Sequence, residues 1–338
     1  MKWIIFDKII LLIFFGYCFY LSAIYNDEKM KRIIIEVDVS VISLGGGPTN
    51  FIKGIHHFLP YKTRKCKFIA SKKKFSYGME KSNYYFFPFP KFDESIYNNW
   101  IKLKKNNKLI LGPIFVPNFW TLFPDKTIWK ERRFSEILEQ VKGIAVHSNR
   151  VRDYLSIRSN TTNLLKKFKI IRPCTNINPK NINPFIKRKI DILFFEKYED
   201  LDYSQQGAQL LNLFYNSSKT IERLKYGNYS KDNMKYLANN SKFIIYFSFF
   251  DTGAIGLKEI QNYGVFTFSH QKDLIIHKDT GFYVPELVNK KDMIKAYNII
   301  MKKIEIITNS NPNSQLFAKV NQKINICQNA LNDLCESI

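Results

Sequence analysis

The chain has 338 residues, 45% of them hydrophobic and 15% aromatic, which excludes intrinsic disorder and leaves room for two domains of ordinary size. Lysine and arginine number 52 against 29 acids, a formal net charge of +23. That balance suits a nucleic acid, an anionic membrane surface or a nucleotide-bearing substrate, but the lysines are scattered, which equally fits a genome favouring Lys, Asn, Ile and Phe codons. The five cysteines, Cys18, Cys66, Cys174, Cys327 and Cys335, form no CxxC pair and no Cys/His cluster, so neither a disulfide framework nor a zinc site is expected.

Ile9 to Tyr25 is a continuous apolar and aromatic run with one Gly and one Ser. Its length, with its flanks, predicts a single membrane-anchor helix, and no convincing small-residue cleavage site follows it. Lys2 and Lys8 precede the run and Lys29, Lys31 and Arg32 follow it, a near balance that leans slightly to a cytosolic catalytic part. The alternative is that Met30 is the true start, since MKRIIIEVD opens directly into a first strand.

Arg32 to Ser43 reads as that strand. The run Leu44-Gly45-Gly46-Gly47-Pro48-Thr49-Asn50 then leads into a helix over 51–58 bearing His56 and His57, two residues whose ordinary role is surface or packing. Glycines at the carboxyl end of a first strand, opening a helix, form a place where an α/β sheet takes a phosphate or sugar. The run is neither GxGxxG nor a P-loop, which sets aside dinucleotide and Walker readings. Further strands are predicted over 67–70, 84–89, 108–112 and 143–147. An irregular aromatic stretch at 118–129 and an amphipathic helix at 134–141 lie between them, and Ser148 caps a helix over 150–155. A short strand at 170–173 precedes an Asn/Pro/Lys-rich linker, 176–189. Asp191 to Phe195 opens a second α/β unit, with helices predicted over 229–238, 291–307 and 315–338.

Phe243 to Phe247 is an unbroken apolar run, as expected of a strand covered on both faces. Ser248, Asp251, Thr252, Gly253 and Gly256 break it, and a helical pattern runs from Leu257 to Gly264. Asp251 and Glu259 flank the loop eight positions apart. In a chain with 29 acids such a spacing arises by chance roughly two to three times. The order carries more weight: strand, Ser248, Asp251, Gly253, Gly256, Glu259, Gly264, then Thr280-Gly281-Phe282-Tyr283-Val284.

This order resembles the E-x7-E signature and the TGFLV strand of the retaining, family 4-like GT-B glycosyltransferases. The resemblance implies an α/β GT-B fold: two Rossmann-like domains facing across a cleft, here behind an N-terminal hydrophobic anchor helix. The implied division is an anchor at 1–29, an acceptor-side domain at 30–175, the linker at 176–189, a nucleotide-sugar domain at 190–313 and a helical segment at 314–338. It implies a glycosyltransferase moving a sugar from a nucleotide-sugar donor to a glycan or lipid-linked acceptor, with no metal and no cofactor, at an anionic membrane surface and without nucleic acid. Asp251 would orient the donor sugar and Glu259 accept from the ribose hydroxyls. The backbone of Gly253, Ala254, Ile255, Gly256 and Leu257 would bind the diphosphate, Gly45, Gly46 and Gly47 would close over it, and Lys197 would neutralise charge. The chain departs from the family pattern at its two cations: Glu196-Lys197 and Gln206-Gly207 stand where Gly-Arg and Lys-Gly are usual, and Asp251 replaces Glu. Arg223 and Lys225 are candidates to compensate. The rival reading is a degenerate GT-B-shaped protein that binds a glycan or protein partner without catalysis.

Overall fold

The computed structural model describes residues 30–35, 47–70, 84–87, 109–112, 141–158, 162–196, 201–225, 228–248, 254–275 and 279–338. The anchor run at 9–25, the aromatic stretch at 118–129 and all but Val141 of the helix expected at 134–141 lie outside the described residues. No described helix is long and apolar enough to cross a membrane.

The described strands form two sheets. The first contains β1 (Lys31–Ile35), β2 (Tyr61–Lys62), β3 (Cys66–Ala70), β4 (Tyr84–Phe87), β5 (Leu109–Leu111), β6 (Gly143–Val146) and β7 (Phe168–Ile170), in the order β2-β3-β1-β4-β5-β6-β7. All neighbours pair in parallel except β2 with β3 at the edge. The second contains β8 (Ile190–Glu196), β9 (Ile221–Lys225), β10 (Ser241–Phe247), β11 (Phe266–Ser269) and β12 (Gly281–Tyr283), in the order β12-β11-β10-β8-β9, all parallel. Two parallel sheets joined by a linker at 176–189 are the predicted pair of α/β units. The linker is extended, with one tight turn at Phe185–Lys187. It is pinned by the buried Arg188, whose guanidinium donates to the carbonyls of Ser241 and Tyr263, each at 2.5 Å.

The second sheet shows why the central run reads as it does. Side chains alternate across a strand, so β10 divides between two cores. Phe243, Ile245 and Phe247 join Phe194, Phe214 and Phe268 on one face, while Ile244 and Tyr246 join Phe195, Leu237 and Leu257 on the other. A strand with both faces covered has no position for a polar side chain, hence the continuous apolar sequence. Helices cover these faces: α3 (Leu201–Tyr215), α4 (Lys231–Asn240), α5 (Ile255–Gln261) and α6 (Lys290–Asn309). In α6 the buried residues Met293, Ala296, Ile300, Ile304 and Ile307 recur every three or four positions, one stripe of a 3.6-residue helix. Side-chain caps fix the helix starts: Ser230 accepts from Asn233 N–H at 3.1 Å, and Asn289 from Asp292 N–H at 3.0 Å.

The first lobe holds α1 (Gly47–His57) and α2 (Asn149–Arg158), the latter started by Ser148 Oγ, which accepts from Val151 N–H at 3.2 Å. Its core contains Ile33, Phe51, Ile55, Phe68, Phe86 and Ile110. It also contains Leu331 and Leu334 from the far end of the chain, because α7 (Ser314–Asn325) and α8 (Cys327–Glu336) return across the molecule. Arg172 fixes this return with a two-pronged ion pair to Asp333, at 2.7 and 2.6 Å.

The cysteines overturn the expectation that no disulfide forms. Cys66 on β3 is bonded to Cys335 on α8, and Cys174 beyond β7 is bonded to Cys327 at the head of α8. The partners are 269 and 153 residues apart in sequence with Cα atoms at 5.9 and 4.9 Å. Spacing arithmetic sees only local pairs, so partners brought together by the return of the last helix are invisible to it.

Gly264 follows α5 with φ of +74°, and a Cβ there would strike the carbonyl oxygen of Ser314 at the start of α7. Gly264→Ala should therefore lower stability by roughly 2–4 kcal/mol, through left-handed strain together with a backbone collision. A urea midpoint close to that of the unaltered protein would refute this.

Candidate functional site

The candidate site lies at the carboxyl ends of β8, β10, β11 and β12, where ligands of open α/β sheets collect. Helix α5 is its centre. Ala254, the residue before it, has φ of 43° and ψ of 40°, a left-handed residue that the sequence reading, which laid the turn on glycines, did not mark. A non-glycine residue in this region is held there by its surroundings, and such residues gather at functional sites. Gly256 has a different use. It lies in the first turn of α5, where a Cβ would press at 3.4 Å on the Phe195 ring and the Tyr229 hydroxyl.

Side chains of α5 point to both lobes. Ile255 is buried in the first-lobe core, whereas Leu257 and Ile260 are buried in the second. Glu259 is 4% exposed and accepts a hydrogen bond from Asn50 Nδ2 on α1, at 2.7 Å. Burial pushes its carboxyl up to about 7, with Lys231 and the Asn50 bond opposing the rise. The neighbouring Lys258 is buried, donates to the Leu274 carbonyl at 3.1 Å and is pushed down by burial to about 8.

A second contact crosses between the lobes nearby. Arg150, in the first turn of α2, donates to Glu286 just past β12 at 3.3 Å. His270, after β11, stacks on Phe247 at the end of β10 with ring centroids 5.5 Å apart, its Nε2 lying 3.9 Å from Glu286. Burial, then the Arg150 charge, pushes His270 down to about 3, so its ring is neutral at any ordinary pH. At the end of β8 the buried Glu196 pairs with Arg223. The compensating role suggested for Arg223 meets a carboxylate partner in place. Lys225, on the same strand, is exposed.

Of the residues singled out from sequence, Glu259, Ala254, Ile255, Gly256 and Leu257 lie together on or beside α5, and Gly47 begins α1. Gly45, Gly46, Lys197, Asp251 and Gly253 lie outside the described residues. Sequence reading missed Asn50, His270 and Glu286 as site residues. Asn50 stood only as the last residue of the glycine run, and no local signal ties it to an acid 209 positions away.

No protein-family model matches the sequence, and comparison with curated proteins gives no significant match. Solved structures do match. HepE of Anabaena, crystallised with UDP and glucose, aligns with a TM-score of 0.55 at 9% identity over 91% of this chain and 99% of its own. Sucrose-phosphate synthase of Thermosynechococcus elongatus aligns with a TM-score of 0.55 at 10% identity over 89% and 97%. TarM matches with a TM-score of 0.45 at 13% identity over 76% of this chain, which spans 55% of the length of TarM.

Glu259 ties the site to pH. Its folded value of about 7 lies above the ordinary 4.5, so the folded state binds the proton more tightly than the unfolded chain. That preference is fully present below pH 4.5 and is lost as pH rises through about 7. Glu259→Gln keeps an acceptor for Asn50 and removes the charge. It should stabilise the ligand-free protein by about 3 kcal/mol at pH 8 and leave it unchanged near pH 4. Equal urea midpoints for the two proteins at pH 8 would contradict this. Two α/β sheets of parallel strands, with alignments that run over nearly the whole length of HepE and of sucrose-phosphate synthase, give this chain the GT-B fold.

Proposed function

We propose that the chain is a glycosyltransferase that moves a sugar from a nucleotide-sugar donor to a glycan or lipid-linked acceptor, retaining anomeric configuration and using no metal. The observation that carries this reading is Glu259: a buried carboxylate on the helix after the central strand, facing the first lobe, in a fold whose solved relative HepE was crystallised with UDP and glucose. A carboxylate offers two acceptor oxygens to the vicinal hydroxyls of a ribose. Asp251 would hold the sugar. The backbone at 253–257 would meet the diphosphate from the second lobe and Gly45 to Gly47 from the first. Lys197 would offset part of the charge that builds on the leaving diphosphate. An anchor at 9–25 and a basic surface would bring the protein to its acceptor.

One observation favours the rival reading of a binder without catalysis. Arg150 and Arg223 are each paired with a carboxylate, Glu286 and Glu196. A diphosphate would have to compete for both.

Thermal unfolding against a panel of nucleoside diphosphates and their sugars separates the readings. A ligand at about 100 times its dissociation constant should add roughly 2.7 kcal/mol. One nucleotide should shift the protein, Glu259→Ala should abolish the shift, and the matching sugar nucleotide should then be turned over. A shift without turnover selects the binder. No shift with any nucleotide removes the donor site.

A further inference from the structure

We propose that the Cys174–Cys327 disulfide is a positioning device for Glu259, made in an oxidising compartment. The positioning role rests on the reading of Glu259 as the donor-binding acid; the covalent tie itself does not.

The argument begins on α1. Asn50 and Gly54 are four residues apart, so they share one face of the helix. Asn50 grips Glu259. Gly54, one turn on, lies so close to Cys327 Sγ that a Cβ would collide with it. The bridge therefore stands one helical turn from the contact that holds the acid. Gly54 is the residue that lets the two approach.

The other side of the bridge leads back to the same acid. Cys327 opens α8, and α7 before it is bonded to the end of α5. Asn321 Nδ2 donates to the Gln261 carbonyl at 3.0 Å, Gln322 Nε2 to the Asn262 carbonyl at 2.9 Å, and Asn325 Nδ2 to the Asn262 side-chain oxygen at 2.9 Å. Thr175, next to Cys174, donates its N–H to the Asn325 carbonyl at 3.0 Å. The path from α1 through Cys327 and α7 to α5 is thus closed on itself, with Glu259 and Asn50 facing across it. The Cys66–Cys335 bridge joins α8 to β3, with Cys335 Sγ 3.5 Å from Thr63 Oγ1.

Forming each bridge removes two protons and two electrons from a pair of thiols. A thiol–disulfide oxidoreductase of an oxidising compartment accepts the electrons, whereas the thiol pool of a reducing cytosol opposes the reaction. Four of the five cysteines are committed to such bonds.

The test uses the full chain produced under oxidising conditions. Alkylation followed by mass spectrometry should leave Cys66, Cys174, Cys327 and Cys335 unlabelled until reductant is added; labelling of Cys174 and Cys327 in the folded, unreduced protein overturns the proposal. Hydrogen exchange then compares Cys174→Ser/Cys327→Ser with Cys66→Ser/Cys335→Ser. Loss of the first bridge should speed exchange in 255–261 by about tenfold or more and loss of the second should not. Equal protection of that helix in both variants overturns the proposal. If the first variant does not fold, gentle reduction of the unaltered protein gives the same comparison, with thiol labelling and exchange read on one sample. UDP affinity, read in parallel, should fall about tenfold with the first bridge only. Loosening of 255–261 in a protein that binds no nucleotide would sustain the tie and sink the donor-site reading instead.

Discussion

Everything near the site depends on a seven-residue helix that belongs to neither lobe alone. Helix α5 sends Ile255 into the first core and Leu257 and Ile260 into the second, and its acid is held by an amide from the opposite lobe. A helix this short has little stability of its own, since nucleation is costly and only a few internal hydrogen bonds repay it. Its position is set by what packs on it. The parallel sheets, the left-handed residue before it and the returning helices behind it are the conditions under which it can exist.

That placement also explains the electrostatics. A carboxylate enclosed between two lobes loses water and, among the described residues, gains one amide donor, and a single neutral hydrogen bond does not replace its hydration. The acid is therefore held in a state that further donors would relieve. A diol placed against it would supply two. Around the rim the arrangement is different: Arg150 with Glu286 is a half-exposed pair that contributes little to stability in water, and Arg223, itself half-exposed, covers the buried Glu196. The interior holds an under-compensated carboxylate while the described rim pairs are balanced, and the chemistry of a ligand would be felt first at the former.

Much of the architecture was legible in the sequence because it rests on local patterns. The apolar run at Phe243–Phe247 could only be a strand covered on both faces, and the stripe from Met293 to Ile307 could only be a helix lying on a core. The order of Ser248, the acids and the glycines placed Glu259 on the helix after the central strand. What could not be read was long-range. Asn50 reaches Glu259, Arg150 reaches Glu286, and the cysteines find partners across most of the chain, all because two lobes and a returning helix meet. The left-handed residue was missed for a local reason: glycine is the usual occupant of that conformation, and attention to Gly253 and Gly256 passed over the Ala254 between them.

The amides of α7 carry one more consequence. The end of α5 closes on backbone bonds from Asn262, Tyr263 and Gly264, and Asn321, Gln322 and Asn325 add side-chain donors to the carbonyls of Gln261, Asn262 and Lys258. Asparagine abundance in this chain looks at first like codon bias, but here the residue is irreplaceable in kind. Aspartate has the same shape and no hydrogen to give. Spontaneous hydrolysis of these side-chain amides would exchange each donor nitrogen for an oxygen and, once the new acid ionised, set carboxylate oxygens against carbonyl oxygens inside a closed junction. The chemical lifetime of three amides thus bounds the working lifetime of the site.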